Sequence, residues 1–412
     1  MPVVNGSAYR QEQRLRNDDP VPSRADVVII GSGIVGLSTA FHLTEMSRQK
    51  IVVLDRGPIG GVASPRAAGS IRHHYSHPML VELAMRGHQF FREFEKHTGA
   101  SCGYVNNGYV VGVDETQSDW LEENVRMVRE CGVNTGLATA SEVRTLFPEL
   151  DGNGWSGPLA FDRDSGYVQP QDVMRELARS VRERGVHLIA GDAVCGMAVQ
   201  SGRVQSVETE SGSTIRTGVV VNAAGAWGAD VSASAGVDLP VTVGRLLQIF
   251  ELRPAFHLPV TRPTISDGPL DLYARPNPGN RLLIGARHYF DEPRKPDEVD
   301  LIPDQGTLRD TRDRYERLNP STRNAAIHHA WAGIDGDTPD FQPIVGPTPG
   351  VNGLLTAVGF SAHGFKLGPA IGRLLAEQIV HGTYRTQEIS RLGFERLTSG
   401  DLFPPGYKQM GA

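Results

Sequence analysis

The stretch Asp26-Val27-Val28-Ile29-Ile30-Gly31-Ser32-Gly33-Ile34-Val35-Gly36 decides the fold. Its β-branched run is nearly unbroken in apolar character, which predicts a short parallel strand buried on both faces. A helical pattern follows through Leu37, Ala40, Phe41 and Leu43, and a second apolar run, Ile51-Val52-Val53-Leu54, closes on Asp55. This strand-turn-helix-strand order is the setting a dinucleotide fingerprint requires. Gly31 permits the tight turn, Gly33 lets backbone approach a pyrophosphate, and Gly36 lets helix and strand pack closely. The pyrophosphate rests at the positive helix end. Asp55, at the tip of the second strand, suits a ribose 2′-hydroxyl and disfavours a 2′-phosphate. The motif alone leaves FAD and NAD both open.

The 412 residues and 39% hydrophobic content allow about two to three ordinary domains. The formal charge of -6 is spread along the chain without a long basic run, which argues against a nucleic-acid partner. Cys102, Cys131 and Cys195 are far apart and form no CxxC pair, so neither a disulfide framework nor a zinc site is expected. That usage suits a reducing cytoplasm. No apolar stretch reaches the ~18 residues of a membrane span. Residues 1–24 read as a polar arm without an apolar signal region, with disorder or packing along the domain both open.

Further along, the chain reads Arg56-Gly57-Pro58-Ile59-Gly60-Gly61-Val62-Ala63-Ser64 and then Pro65-Arg66-Ala67-Ala68-Gly69-Ser70-Ile71-Arg72-His73-His74-Tyr75. An acidic residue with Arg closing the second strand, then a Gly-x-Ala-Ser turn, resembles the D-amino-acid oxidase superfamily, above all its sarcosine oxidase and dimethylglycine dehydrogenase branch. Val219-Val220-Val221-Asn222-Ala223-Ala224-Gly225-Ala226-Trp227 is similar to that family's second flavin-contacting strand and turn. Trp331-Ala332-Gly333, Thr338-Pro339-Asp340 and Gly359-Phe360-Ser361-Ala362-His363-Gly364-Phe365-Lys366 are similar to the segments that close over the flavin. The resemblance therefore selects FAD. It implies a cofactor site built from Gly31, Ser32, Gly33, Ile34, Val35, Gly36, Asp55, Arg56, Ser64, Arg66, Ala67, Ala68, Gly69, Ile71 and Val194. Ala223, Ala224, Gly225, Trp227, Gly333, Gly359, Phe360, His363, Gly364, Phe365 and Lys366 complete it.

The resemblance also implies an α/β architecture, in which a Rossmann-type FAD-binding domain interleaves with a substrate domain on a mixed or antiparallel sheet with helices. We expect the FAD-binding domain at 25–100, 168–245 and 325–395, the substrate domain at 101–167 and 246–324, and a tail at 396–412. The residues agree with such a plan. Tyr109-Val110-Val111-Gly112-Val113, Leu246-Leu247-Gln248-Ile249-Phe250, Leu272-Tyr273 and Leu282-Leu283-Ile284-Gly285 read as short strands between turns. Residues 120–128 and 173–181 read as helices, and a further helix is expected to begin at Gly368-Pro369 after the strand pattern of residues 353–359.

A flavin oxidising an amine asks the protein mainly to position the substrate and select its neutral amine. By resemblance, Arg72 and Lys366 hold a substrate carboxylate over the flavin, a role that suits the planar Arg fork. His73 and His363 match histidines near the flavin, and Tyr273 a tyrosine lining the pocket. Neither His73-His74 nor His328-His329 has the spacing of two metal ligands on one helix face, and no metal is expected. Arg66 and Gly333 stand where relatives carry a flavin-linking histidine or cysteine, so FAD is expected to be non-covalent. The oxygen-activating lysine of monomeric sarcosine oxidase is matched by Leu283, with Arg287 nearby, which leaves O2 or a quinone or other carrier as acceptor. The expected reaction is oxidation of a secondary or N-methyl amino acid, a D-amino acid or a cyclic imino acid to its imine. An NAD-dependent dehydrogenase or a non-catalytic flavoprotein subunit are the alternatives.

Overall fold

The computed structural model describes residues 20–150, 157–384 and 387–403. Most of the expected arm, residues 1–19, and the end of the expected tail, residues 404–412, lie outside the described residues.

Strand Val27–Ile30 sits inside a six-stranded sheet. It pairs in parallel with Ile51–Asp55 on one side and Val220–Asn222 on the other. His187–Ala190 extends the sheet past the former, Leu354–Val358 past the latter, and antiparallel Ile344–Pro347 ends it. The unbroken apolar run follows from cover on both faces. Val27 and Ile29 pack among the helices Ile34–Met46, Pro170–Glu183 and Gly364–His381. Val28 and Ile30, pointing the opposite way, pack on the antiparallel meander of Val194–Gln200, Arg203–Thr209 and Thr214–Arg216.

Helix Gly364–His381 begins before the expected Gly368 and takes Pro369 into its interior. Close packing explains the glycines there. A Cβ at Gly368 would lie 2.8 Å from Ile34 Cγ2, and one at Gly372 2.6 Å from Ser38 Cβ, so this helix and Ile34–Met46 cross nearly backbone to backbone.

The second sheet has eight strands in the order Ile327–Ile334, Val243–Leu252, Arg281–Arg294, Leu272–Asn277, Thr264–Asp267, Tyr109–Gly112, Leu159–Asp162 and Thr135–Leu137. All neighbours are antiparallel except Thr264–Asp267 and Tyr109–Gly112, which run parallel where two separate stretches of chain meet. The chain is thus α/β, with a mixed second sheet. That sheet overruns the expected 246–324 segment at both ends, because Ile327–Ile334 pairs its backbone along Val243–Leu252 rather than with the nucleotide sheet. Directly paired residues share a face. One row therefore aligns Tyr273, Gly285, Ile249 and Trp331, and the next aligns Arg287, Leu247 and Gly333. The Tyr273 ring occupies the space a side chain at Gly285 would need.

The expected tail is not loose where it is described. Arg396, in helix Glu395–Ser399, is buried and grips Asp340 with Nε at 2.8 Å and Nη2 at 3.1 Å. Among the described residues no helix is long and apolar enough to cross a membrane.

Candidate active site

A long cavity runs between the two sheets from the tips of Val27–Ile30 and Ile51–Asp55 to a cationic end under helix Gly364–His381. At the first end Gly31 has φ +103°, and a Cβ there would strike the Ala223 carbonyl. Gly33 caps helix Ile34–Met46 without a side-chain hydrogen bond, and no acid stands in the first helical turn. The positive helix end is left to face the cavity, as a pyrophosphate would need. Ile34, Val35, Ala223, Ala224 and Gly225 line this part.

Asp55 lines the cavity but is more committed than its strand-tip position suggests. Its Oδ2 accepts from Ser32 N at 2.8 Å and Ser32 Oγ at 2.6 Å, and its Oδ1 accepts from Gly57 N at 2.8 Å. A carboxylate has about four acceptor sites, so roughly one is left for a ribose hydroxyl. Ser32 does not line the cavity; it positions Asp55 and accepts from Gly60 N. Gly36 is also set back, because a Cβ there would collide with the Gly31 carbonyl. Arg56 lies over the Trp227 ring, 4.9 Å from its centroid, and Asp297 ties the two together. Val194 lines the wall with Asp192, Ala193 and Cys195, which no sequence motif marked.

Midway, Ser64 Oγ accepts from Ile34 N at 3.0 Å, and Arg66 donates to Val62 O at 2.7 Å. Arg66 O accepts from Trp331 Nε1 at 3.0 Å, which brings Gly333 against Arg66. Ala67, Ala68 and Gly69 continue the lining, and Arg275 reaches from the second sheet to hold Ala68 O. Leu283, matched by resemblance to an oxygen-activating lysine, is buried outside this lining, in the row of Arg275 and Glu251.

Chain alternation decides which residues after Gly69 face the cavity. Ser70 and Arg72 line it; Ile71 and His73 point away. Ile71 is core. His73 instead joins a buried chain, in which Tyr104 Oη lies 2.7 Å from His88 Nε2, His88 Nδ1 2.8 Å from His73 Nε2, and His73 Nδ1 3.1 Å from Asp162. With the proton of each ring on Nδ1, the hydrogen bonds run in one direction. Tyr104 donates to His88, His88 to His73, and His73 to Asp162. Against burial, which favours the neutral acid, the His73 and Ser165 hydrogen bonds hold the Asp162 carboxyl below its usual range. Burial, then His73 and Arg92, pushes His88 down to about 3. His73 is thus a prop beneath the segment carrying Arg72, outside the cavity lining.

At the cationic end, Arg72 is 9% exposed and stacks 4.7 Å from the Tyr75 ring centroid, donating to His74 O. Lys366 approaches the same ring at 6.0 Å, with Nζ 3.3 Å from Ala362 O. Burial, then repulsion from Arg72, drives the Lys366 amine well below its ordinary range. An anion between the two cations would relieve both effects. His363 is fully buried behind this lining; Nδ1 meets Tyr75 Oη at 3.2 Å, and Nε2 has no hydrogen-bond partner among the described residues. Burial, then Lys366 and Arg72, holds its imidazole neutral. Gly359 is set back against Thr338.

Sequence reasoning missed Asp335, Arg245 and Tyr109. Asp335 Oδ2 accepts from Ala362 N at 2.6 Å, and Arg245 reaches Ser361 O at 3.4 Å. These bonds hold Ser361 and Ala362 at φ +49° and +73°, a costly conformation for non-glycine residues. The strained turn aims the start of Gly364–His381 into the cavity. Burial, then Asp337, raises Asp335 to about 6. Gly364, Phe360, Phe365, Tyr109 and Tyr273 complete this end.

A family model described as FAD dependent oxidoreductase matches residues 26–378. The chain belongs to this family. The glycine cradle, the uncapped helix end and the continuous cavity fit FAD, and the protein is an FAD-dependent oxidoreductase rather than the NAD-dependent alternative. It is 27% identical to FAD-dependent oxidoreductase domain-containing protein 1 of Xenopus laevis, covering 92% of this chain and 84% of that one. It is 29% identical to mitochondrial sarcosine dehydrogenase of Mus musculus over 88% of this chain, which spans only 40% of that longer protein. Among solved structures, L-proline dehydrogenase from P. horikoshii superposes with a TM-score of 0.85 at 25% identity, covering 93% of this chain and all of the other.

Proposed function

We propose that this enzyme oxidises the C–N bond of an amino acid with a secondary or N-methylated nitrogen, D-amino acids and cyclic imino acids falling within the same chemistry. FAD supplies the two-electron acceptor and is held without a covalent link, since Arg66 and Gly333 offer no linking nucleophile where they meet. The observation that carries the proposal is the pair of buried basic side chains, Arg72 and Lys366, flanking Tyr75 in the cavity, where an anion between them would restore the charge that burial and Arg72 discourage on Lys366. They anchor a carboxylate. The Phe360 and Phe365 side excludes water, and the cationic surroundings disfavour an ammonium, so the amine is held neutral and ready for oxidation. The sarcosine and L-proline of the two dehydrogenases are both secondary amines bearing a carboxylate, in keeping with this substrate class and with an electron carrier as acceptor. Three thiols outside any disulfide suit a reducing compartment such as the cytoplasm.

The test is spectroscopic. The purified protein is expected to be yellow, to release FAD on denaturation, and to bleach under anaerobic conditions with a secondary amino acid. A colourless protein, or a yellow one that no amine bleaches, would overturn the proposal. Slow recolouring in air marks a dehydrogenase and fast recolouring an oxidase.

A further inference from the structure

The oxidation consumes a neutral amine, whereas an amino acid in neutral water carries an ammonium, so a proton has to leave the nitrogen inside the cavity. The cationic end offers few groups to take it. Guanidinium groups and phenols keep their protons in neutral water, which sets aside Arg72, Arg287, Tyr109 and Tyr273, and Lys366 serves the carboxylate. Among the described residues no histidine lines the cavity. Asp55, Asp192 and Asp230 line it at the nucleotide end, where Asp192 N donates to Asp55 O and Asp230 follows closely on the Trp227 that Arg56 covers. Asp335 is left as the carboxylate of the cationic end.

Its surroundings suit a proton acceptor. Asp335 Oδ1 accepts from Gly336 N at 2.9 Å and Oδ2 from Ala362 N at 2.6 Å, which leaves roughly two of a carboxylate's acceptor sites, and part of the side chain stays open to the cavity. Arg245, reaching over from the second sheet, gives its ion pair to Asp337 instead. Burial, then Asp337, raises the Asp335 carboxyl against the pull of both backbone donors and Arg245. The other groups near this end do not compete for the proton, since His363 is held neutral by burial and by Lys366 and Arg72. Lys366 Nζ at the Ala362 carbonyl and Asp335 Oδ2 at the Ala362 N–H hold opposite ends of one residue, so the two groups lie at most ~10 Å apart. An α-amino acid's carboxylate and nitrogen, with a hydrogen bond of ~3 Å at either end, span about that distance. We infer that Asp335 takes the proton from the substrate nitrogen: the zwitterion's carboxylate lies at Arg72 and Lys366, its ammonium meets Asp335, and the N–H bond breaks as the O–H bond forms. The nitrogen lone pair is thereby freed for oxidation, and the carboxyl returns its proton to water after product leaves. This inference rests on the amino-acid oxidation proposed above and adds its base.

Two measurements across pH on the FAD-loaded enzyme test it. The first reads kcat/KM for sarcosine and L-proline. The second titrates the flavin spectrum with 2-methylalanine, an amino acid with no α-hydrogen to lose, and with acetate, which has no ammonium. In the wild type both kcat/KM and 2-methylalanine affinity are expected to be flat from about pH 7 to 9 and to fall roughly 10-fold per unit below the Asp335 value of about 6. Asp335→Asn still accepts from Ala362 N but takes up no proton. At pH 7 its kcat/KM drops by roughly 100-fold or more, and kcat/KM and 2-methylalanine affinity now rise roughly 10-fold per unit toward pH 9, as the free amine does, while the slope for acetate over that range is unaltered. Asp335→Glu keeps the flat profile. A merely structural role for Asp335 would lower the rate without changing these slopes. Equal slopes in Asp335→Asn and the wild type, or a wild-type profile that already rises 10-fold per unit above about pH 7, overturn the inference. If no amine bleaches the flavin, the oxidation proposal fails, while the 2-methylalanine titration still decides for or against the proton acceptor. If the variants do not fold, the wild-type slopes decide.

Discussion

Replacing His88 by Gln tests the buried chain under the Arg72 segment through its dependence on pH. The His88 imidazole, ordinarily near 6.5, is pushed down to about 3 by burial, then by His73 and Arg92. Its neighbours in the chain are the Tyr104 hydroxyl and, through His73, the Asp162 carboxylate. The folded state thus holds His88 neutral while the unfolded chain takes up a proton below pH 6.5. For a lowered pKa the stabilisation is complete above the unfolded value and is lost as pH falls toward the folded one. Each pH unit below 6.5 costs about 1.4 kcal/mol, and the loss reaches about 2.7 kcal/mol at pH 4.5. That is a large part of a typical stability of about 5–15 kcal/mol. Asp335, raised to about 6, works with the opposite sign, because the folded state gains a proton as pH falls. Parent and variant share Asp335, so it cancels in their difference. Urea unfolding at pH 7.5 and 4.5 is expected to show the variant less stable at pH 7.5, with the gap narrowing by up to about 2.7 kcal/mol at pH 4.5. A gap that does not change with pH would refute a neutral His88 and the one-directional chain built on it.

Three further outcomes are expected. Arg396→Met strands the Asp340 carboxylate in the core and lowers unfolding free energy by about 3–5 kcal/mol, an effect that chemical denaturation reads and that Asp340→Asn in the same chain partly reverses. Gly372→Leu forces its Cβ against Ser38 and separates the two helices flanking the cavity, so differential scanning calorimetry should show roughly 1–3 kcal/mol or more of lost stability, with earlier flavin release. Arg72→Lys keeps the charge but loses the planar fork. Its KM for carboxylated substrates should rise by roughly 10-fold or more with FAD content unchanged, and an unaltered KM would remove Arg72 from the anchor.

The local rules of the chain made the nucleotide end legible. Gly31, Gly33 and Gly36 are demanded by steric limits that act within a few residues, and the two apolar runs carry the strand period directly. Arg72 and Lys366 were legible only through resemblance, yet the structure brings both to one ring, Tyr75. His73 shows how one residue's shift changes a role. In an extended segment neighbours face opposite ways, so putting Arg72 in the cavity turns Ile71 and His73 out of it. That alternation was readable once Arg72 was fixed as the reference.

The dinucleotide fold and the short runs that become strands were readable from the chain alone, because they depend on torsional limits and apolar periodicity along one segment, whereas the choice of FAD came only through the resemblance of successive motifs. Only the tertiary structure decided which residues meet. Asp335 and Arg245 hold the strained turn at Ser361 and Ala362, Asp55 is shared with Ser32 and Gly57, and the position along strand Arg281–Arg294 carries Arg287 into the cavity lining while Leu283, on the same face, lies beyond it. Those contacts join residues far apart in the chain. Their strength comes from burial, which desolvates a charge and makes each hydrogen bond consequential, and burial does not exist until the two sheets have closed on each other.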